Sequence, residues 1–389
     1  MKHLIPVKDM SPVLISNGVE KQLPYSVSKD YVIRAKEDGV IEDIDEKTKL
    51  AIVKYKSGEC EAINLEPQTV KNGAGGFYLS NKMALDYRKG QKFKKNDVLA
   101  HNTNFFSTGY DGCKFSIGTL CKVACMSSFA TYEDSKLITS GLSKRLSTEM
   151  IMNKHVILGQ NATVSYIAKK GDPIKVGEDL IRYEQSNTEE AVNQMLKNIG
   201  DDLQEEIKSL GKTSLTSKYT GVIEDIRIYS TYELNELSPS LAKIVGDYWK
   251  EIKAKKNLIK KYGITEPEDS GNTFFLNDGV TKPDSKDRIK GYKVETGGVI
   301  IEFYIKFNDP VGVGDKLCDF AALKGVTAAV IPEGEEPYTV NDPDEEISTI
   351  VPATSIMARM TISIMQTMFG NKLIIGLKKK LKELYEQDK

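Results

Sequence analysis

Along most of the chain, apolar and polar residues alternate in short runs, punctuated by Gly, Asp, Asn and Pro. A period of two over such runs reads as a strand with one buried face, so the pattern predicts a mainly β protein with α insertions. Two families of runs recur. "DGVIEDID" (38–45) and "TGVIEDIRI" (220–228) share Gly-Val-Ile-Glu-Asp-Ile. "GQKFKKNDVLA" (90–100), "GDPIKVGEDLI" (171–181) and "NDPVGVGDKLC" (308–318) share a turn, alternating residues, Gly or Asn, an acid and then Leu. The two families follow one another twice, within 31–100 and within 165–228, while the third turn unit stands alone. Repeated units of this size predict small barrels or barrel–sandwich hybrids, one of them completed by sequence from far down the chain.

Three segments switch to helical spacing. Residues 187–210 open at Asn187, a good cap, with Glu189 and Glu190 in the first turn. Val192, Met195, Leu196, Ile199, Leu203, Ile207 and Leu210 supply the apolar stripe, and Gly211 the stop. Residues 239–262 follow Ser238-Pro239, carry Leu241, Ile244, Val245, Trp249 and Ile252, and end in Lys260, Lys261 and Gly263. The third runs from about Thr361 to Glu386, amphipathic and basic at "LKKKLKEL". Residues 264–292 read as a charged loop.

Composition narrows the chemistry. The 389 residues suffice for two or three domains, and a net charge of −1 gives no global attraction to nucleic acid, though a local basic wall remains open. No apolar run has the length of a membrane span, and the start carries no signal-peptide pattern, so a cytoplasmic protein is expected. The five cysteines are irregularly spaced, unlike a disulfide framework; Cys121 and Cys125 lack the second pair that zinc needs. Three scattered histidines argue against histidine acid–base chemistry.

Three charged constellations remain. Lys316 and Lys324 lie eight residues apart in "VGVGDKLCDFAALKGV", between Gly314 and Gly325 and around mostly apolar residues. They are either ordinary surface lysines or two ammonium groups aimed at one phosphate-bearing ligand from a packed, partly dry loop. Glu133-Asp134 in "SSFATYEDSKLITS" is either a solvated turn or a carboxylate pair near Mg²⁺, acting through water rather than by direct chelation. Arg359 in "VPATSIMARMTISIMQ" precedes an apolar helix start. Its planar fork suits a triphosphate, or it pairs with an acid such as those in 342–346.

These motifs, in this order, resemble the C-terminal half of the β subunit of multisubunit RNA polymerases. "GDKLCDFAALKGV" resembles that family's Gly-Asp-Lys…Lys-Gly loop, with the same separation between lysines. "ATYEDSKLI" is similar to Tyr-Asn-Phe-Glu-Asp-(Ser/Ala)-Ile, "VPATSIMARMTI" to Val-Pro-Ser-Arg-Met-Asn-Ile, and "GQKFKKNDVLA" to Gly-Asp-x-Val-x-x-Gly-Asp-Val-Leu-Ala. "SPVLISNGVEK" and "AKEDGVIEDID" also fit, so the likeness runs from about residue 11 to 370. It implies a discontinuous, hybrid-binding double-psi β-barrel plus a flap-like barrel–sandwich module. Residues 1–165 and 301–389 would form the barrel region, and 166–300 the flap-like insertion.

The resemblance implies that Lys316 and Lys324 contact the RNA 3′ end and the incoming nucleotide, that Arg359 grips the triphosphate, and that Glu133 and Asp134 lie beside a second Mg²⁺. The principal Mg²⁺ ligands would belong to β′, because no Asn-Ala-Asp-Phe-Asp-Gly-Asp loop occurs in this sequence. Expected partners are an N-terminal β fragment, β′ polypeptides, DNA template, RNA transcript, nucleoside triphosphates and a promoter-specificity factor at the flap-like region, with no membrane. The family's Arg-His-Gly-Asn between the lysines is replaced by Phe320, Ala321, Ala322 and Leu323. That erosion and the absent β half resemble the split polymerases of large bacteriophages, acting in the host cytoplasm or packaged in the virion. The alternatives are a barrel–sandwich carrier or binding module, with Lys82-Met83 as the modified lysine, and a non-catalytic scaffold derived from a polymerase subunit.

Overall fold

The computed structural model describes residues 5–11, 13–71, 77–185, 212–264, 277–283, 288–289, 291–293, 297–319, 323–360 and 362–387. The helix expected over 187–210 and the loop residues 320–322 lie outside them. The described part is mainly β with a few helices. No helix among the described residues is long and apolar enough to cross a membrane.

The repeats in sequence are repeats in space. Strands Gly39–Asp45 and Gly221–Ser230 each break register at the same point of the motif, between Ile41 and Asp43 and between Ile223 and Asp225. In both, the aspartate following the bulge accepts from the next backbone N–H, Ile44 N to Asp43 Oδ1 and Ile226 N to Asp225 Oδ1, each at 3.0 Å. The shared glycine is a close-approach position. A Cβ on Gly39 would lie 2.4 Å from the Lys54 carbonyl oxygen, and one on Gly221 2.1 Å from that of Lys306. Only glycine fits that contact.

The second family pairs with the first. Lys92–Phe93 runs antiparallel to Gly39–Val40, and Pro173–Ile174 to Gly221–Val222. All three turn units close alike. An acid accepts from the backbone three residues before it: Asp97 from Lys94 at 2.8 Å, Glu178 from Lys175 at 2.7 Å, and Asp315 from Gly312 at 2.8 Å. The residue before each acid has positive φ, at Asn96, Gly177 and Gly314. It donates to a neighbouring carbonyl, of Ala35, Ser217 and Thr327 respectively. The Gly/Asn-then-acid pattern thus encodes a left-handed turn that clips onto an adjacent segment.

The first module is the four-stranded sheet Cys60–Asn64, Leu50–Tyr55, Gly39–Asp45, Lys92–Phe93 and the three-stranded sheet Val32–Arg34, Val98–Asn102, Met83–Leu85. They share a core of Ile33, Ile41, Ala51, Val53, Phe93 and Leu99. In the second module, Gly221–Ser230 lies beside Val299–Asp309, which in turn pairs with Thr148–Leu158 along eleven residues. Distant sequence, Val299–Asp309, thus joins strands from before and within the middle of the chain. Residues 264–292 are not loop throughout, because Arg288–Ile289 and Tyr292–Lys293 form a short antiparallel pair.

Helix Pro239–Lys261 is a strut between the modules. Ser238 caps it, its side chain accepting from Leu241 N at 3.4 Å. Leu241 and Val245 enter the second core, whereas Ile259 packs with Leu50 and Ile52 of the first. Glu66 ties this junction, accepting from Lys255 Nζ at 2.6 Å and from Lys170. Burial pushes the Glu66 carboxyl up, but Lys170 and Lys255 outweigh it and hold it below 4.5. A depressed carboxylate contributes stability that is present above its unfolded pKa and lost as pH falls through the folded one. Acid should therefore loosen the strut, starting below about pH 4.3. The fluorescence of Trp249, the single tryptophan and part of this helix, should report a transition there. In Glu66→Gln that transition should be absent, and an unchanged acid profile would contradict the assignment.

Candidate active-site wall

A five-stranded sheet carries the charged constellations, in the order Val123–Cys125, Thr349–Val351, Ser135–Thr139, Leu323–Ile331, Lys316–Asp319. Ser135–Thr139 pairs parallel with Leu323–Ile331 and antiparallel with Thr349–Val351. Lys316–Asp319 and Leu323–Ile331 form an antiparallel hairpin in which Lys316 faces Val326 and Cys318 faces Lys324. Lys316 and Lys324 are therefore diagonal neighbours on one face, with Cys318 and Val326 between them, and all four are exposed. Neither ammonium has a partner among the described residues. Diagonal pairs stand ~7–8 Å apart. Two ammonium groups at that spacing repel by about 0.5 kcal/mol in water, and an anion placed between them converts this into attraction.

The acidic dipeptide sits at the edge of this hairpin. Val326 N donates to the Asp134 carbonyl at 3.0 Å, and the parallel pairing of Ser135 with Val326 starts there. Glu133 holds a left-handed φ of 50°. Ser355 Oγ donates to its carbonyl and so ties it to the short helix Ala353–Ala358. Arg359, at the end of that helix, closes the group with Nη2 2.7 Å from Asp134 Oδ2. The structure thus places Asp134, Arg359 and the lysine hairpin near one another at the start of the middle strand of the sheet, linked by single contacts.

Several expectations need correction. Arg359 does not open a helix. It is the C-cap of Ala353–Ala358, where the helix dipole favours a cation, and its acid is Asp134 rather than one of 342–346. Gly325 is not a turn glycine but lies mid-hairpin, because a Cβ there would meet the Asp134 carbonyl oxygen at 2.1 Å and Lys136 Cε at 2.6 Å. The two lysines are not in a dry environment, being exposed on the sheet face. Lys82 is not displayed on a hairpin tip as a carrier lysine would be; its Nζ lies 2.6 Å from Glu149 Oε2.

The carboxylates of Glu133 and Asp134 do not by themselves fit chelation of a cation. They come from adjacent residues, and Asp134 is already engaged by Arg359. Among the described residues no group of three or more His, Cys, Asp or Glu side chains is arranged for a metal. Burial, with Asp319 nearby, pushes the Cys121 thiol up to about 11, and burial likewise raises Cys125, so both stay protonated at neutral pH.

Sequence reasoning passed over Lys136. It is 2% exposed, and its Nζ lies 2.5 Å from Asp319 Oδ2 and 3.1 Å from the Leu323 carbonyl. Its strand is buried at every position after Ser135, which erases the alternation that would mark an inward lysine as anomalous. The available signal was a lysine directly before the strand-forming run Leu137-Ile138-Thr139.

Residues 124–386, well over half of the chain and inclusive of every residue of this edge, match the family RNA polymerase Rpb2, domain 6. No curated protein matches the chain.

Proposed function

The chain belongs to the RNA polymerase Rpb2 domain 6 family and is a β-subunit-type region of a multisubunit RNA polymerase; we propose that it forms one wall of that enzyme's active site. The observation that supports this reading is that the hairpin bearing Lys316 and Lys324 lies beside Asp134, through Val326 N to the Asp134 carbonyl, and that Asp134 in turn pairs with Arg359. In nucleotidyl transfer the RNA 3′ oxygen attacks the α-phosphorus of the incoming nucleotide and pyrophosphate leaves. Catalysis is then mostly positioning and charge neutralisation. Lys316 and Lys324 hold the RNA 3′ end and the nucleotide phosphates from one face. The Arg359 fork grips the triphosphate, with Asp134 fixing its plane. Glu133 and Asp134 would act on Mg²⁺ only through water, and the ion's principal ligands would come from β′. When bound, the metal stabilises charge on the attacking and leaving oxygens.

In this reading the five-stranded sheet, with its parallel pairings between distant segments, is the β contribution to a double-psi barrel. Residues 166–300 are the flap-like insertion that receives a specificity factor. The partners are β′, the N-terminal portion of β, template DNA, RNA and nucleotides. The eroded segment 320–323 supports a large-bacteriophage origin, with action in the host cytoplasm.

The wall is inert alone, since its own carboxylates do not chelate. A complex captured through a tag on this chain should extend an RNA primer along a DNA template, and the isolated chain should not. Synthesis by the chain alone, or no template-dependent synthesis by the complex, would refute the proposal.

A further inference from the structure

We infer that Lys136 is a positioning residue for the catalytic hairpin: one buried ammonium clasps both strands at their Asp319–Leu323 end and so fixes where Lys316 and Lys324 stand. The inference rests on the function proposed above.

Three observations carry it. First, the partners of Lys136 face each other across the hairpin. Asp319 and Leu323 are the last register pair of the hairpin, and Nζ contacts the carboxylate of one strand and the carbonyl of the other. Releasing it frees both strands at the same level. Second, the stem of Lys136 runs past Gly325, where a Cβ would lie 2.6 Å from Lys136 Cε. The missing side chain of the residue after Lys324 is the space the clasp occupies. Third, Lys136 belongs to the strand that starts just after Asp134, whose side chain is bound to Arg359 and whose carbonyl is bound by Val326. The clasp therefore sets the lysine hairpin against the acid and the arginine.

Stability alone is a poor reason for such a pair. Desolvating a lysine and an aspartate costs about as much as their attraction returns, and apolar replacements of similar volume are often neutral or better. The polar residues usual between the two lysines are replaced here by Phe320, Ala321, Ala322 and Leu323. The neighbouring thiols do not compete for the ammonium, because Cys121 is pushed up to about 11 by burial and by Asp319.

The test uses the assembled polymerase, purified through a tag on this chain, with Lys136→Met and Asp319→Asn singly and together. Nucleotide addition on a preassembled RNA–DNA scaffold is measured per active site. Each single substitution should lower kcat by roughly tenfold to a hundredfold, the cost of misplacing a catalytic group by about an ångström. The nucleotide KM should move by less than about threefold, because the charges of Lys316 and Lys324 remain. The double substitution should fall no further than the worse single one, since the two residues act as one unit. A merely structural role would lower the melting temperature or the yield of complex and leave kcat per active site at the wild-type value, and that result overturns the inference. Lys316→Ala and Lys324→Ala are measured alongside. If they are slow while Lys136→Met and Asp319→Asn are normal, only the clasp is wrong. If they too run at the wild-type rate, the active-site reading fails and the clasp with it.

Discussion

Lys324→Ala, Lys316→Ala and Arg359→Ala, made singly in the assembled enzyme, should each slow nucleotide addition by about a hundredfold to a thousandfold, the usual cost of removing one preorganised donor from a developing charge. The loss should be functional rather than structural. Lys316 and Lys324 are exposed, so removing either leaves no buried group unpaired. The Arg359–Asp134 pair is half-exposed, and such a pair contributes only about 0–1 kcal/mol to folding. Melting temperatures should therefore move little while rates collapse. Because each cation also attracts the nucleotide before reaction, its removal should raise KM as well as lower kcat. Arg359→Lys should restore little, since a point charge cannot reproduce the planar two-pronged contact with phosphate oxygens. Single-nucleotide addition on a fixed scaffold measures all of this, and wild-type rates in the three alanine variants would remove the site assignment.

Gly325→Ala should be the most damaging small change in the sheet. The new methyl would overlap the Asp134 carbonyl oxygen at 2.1 Å and Lys136 Cε at 2.6 Å. The side chain can shift. The carbonyl cannot, because it accepts the Val326 N–H that opens the parallel pairing. Either that pairing breaks or the strands part, at a cost of roughly 1–3 kcal/mol. The same movement displaces Asp134 from Arg359 and spoils the clasp, so activity should fall further than stability does. Gly58→Ala is the control. Gly58 has a φ of 90° with open space around it, so it pays only the left-handed strain of about 1–2 kcal/mol and leaves the site intact. Thermal melting and nucleotide addition measured on both variants separate the two effects. Equal activity in the two would contradict this account of Gly325.

Much of this architecture was legible in the sequence, for identifiable reasons. Gly-Val-Ile-Glu-Asp-Ile and the Gly/Asn-then-acid turns are local codes: a close-approach glycine, a bulge, a left-handed residue and a carboxylate that accepts a nearby N–H. Each needs only neighbours within a few residues, so it shows as a motif. Helix Pro239–Lys261 was legible for the same reason, through its cap and apolar stripe. What sequence could not show is which face a lysine takes in a doubly buried strand. Lys136 and Asp319 are 183 residues apart and meet only because two strands pair in parallel. Arg359 was misjudged because the six-residue helix before it is too short to give a periodic signal, so the longer helix after it set the reading. Its partner Asp134 lies 225 residues away, beyond the reach of any local rule.

The most direct test of the central claim uses RNA whose 3′-terminal ribose has been oxidised to a dialdehyde. In a halted complex on template DNA, the aldehydes condense with an amine within reach, and borohydride fixes the adduct for mass spectrometry. The account predicts adducts on the peptides bearing Lys316 or Lys324, lost from each site on substitution by arginine. Adducts confined to lysines far from this sheet edge, such as those of the strut helix or the C-terminal helix, would contradict it.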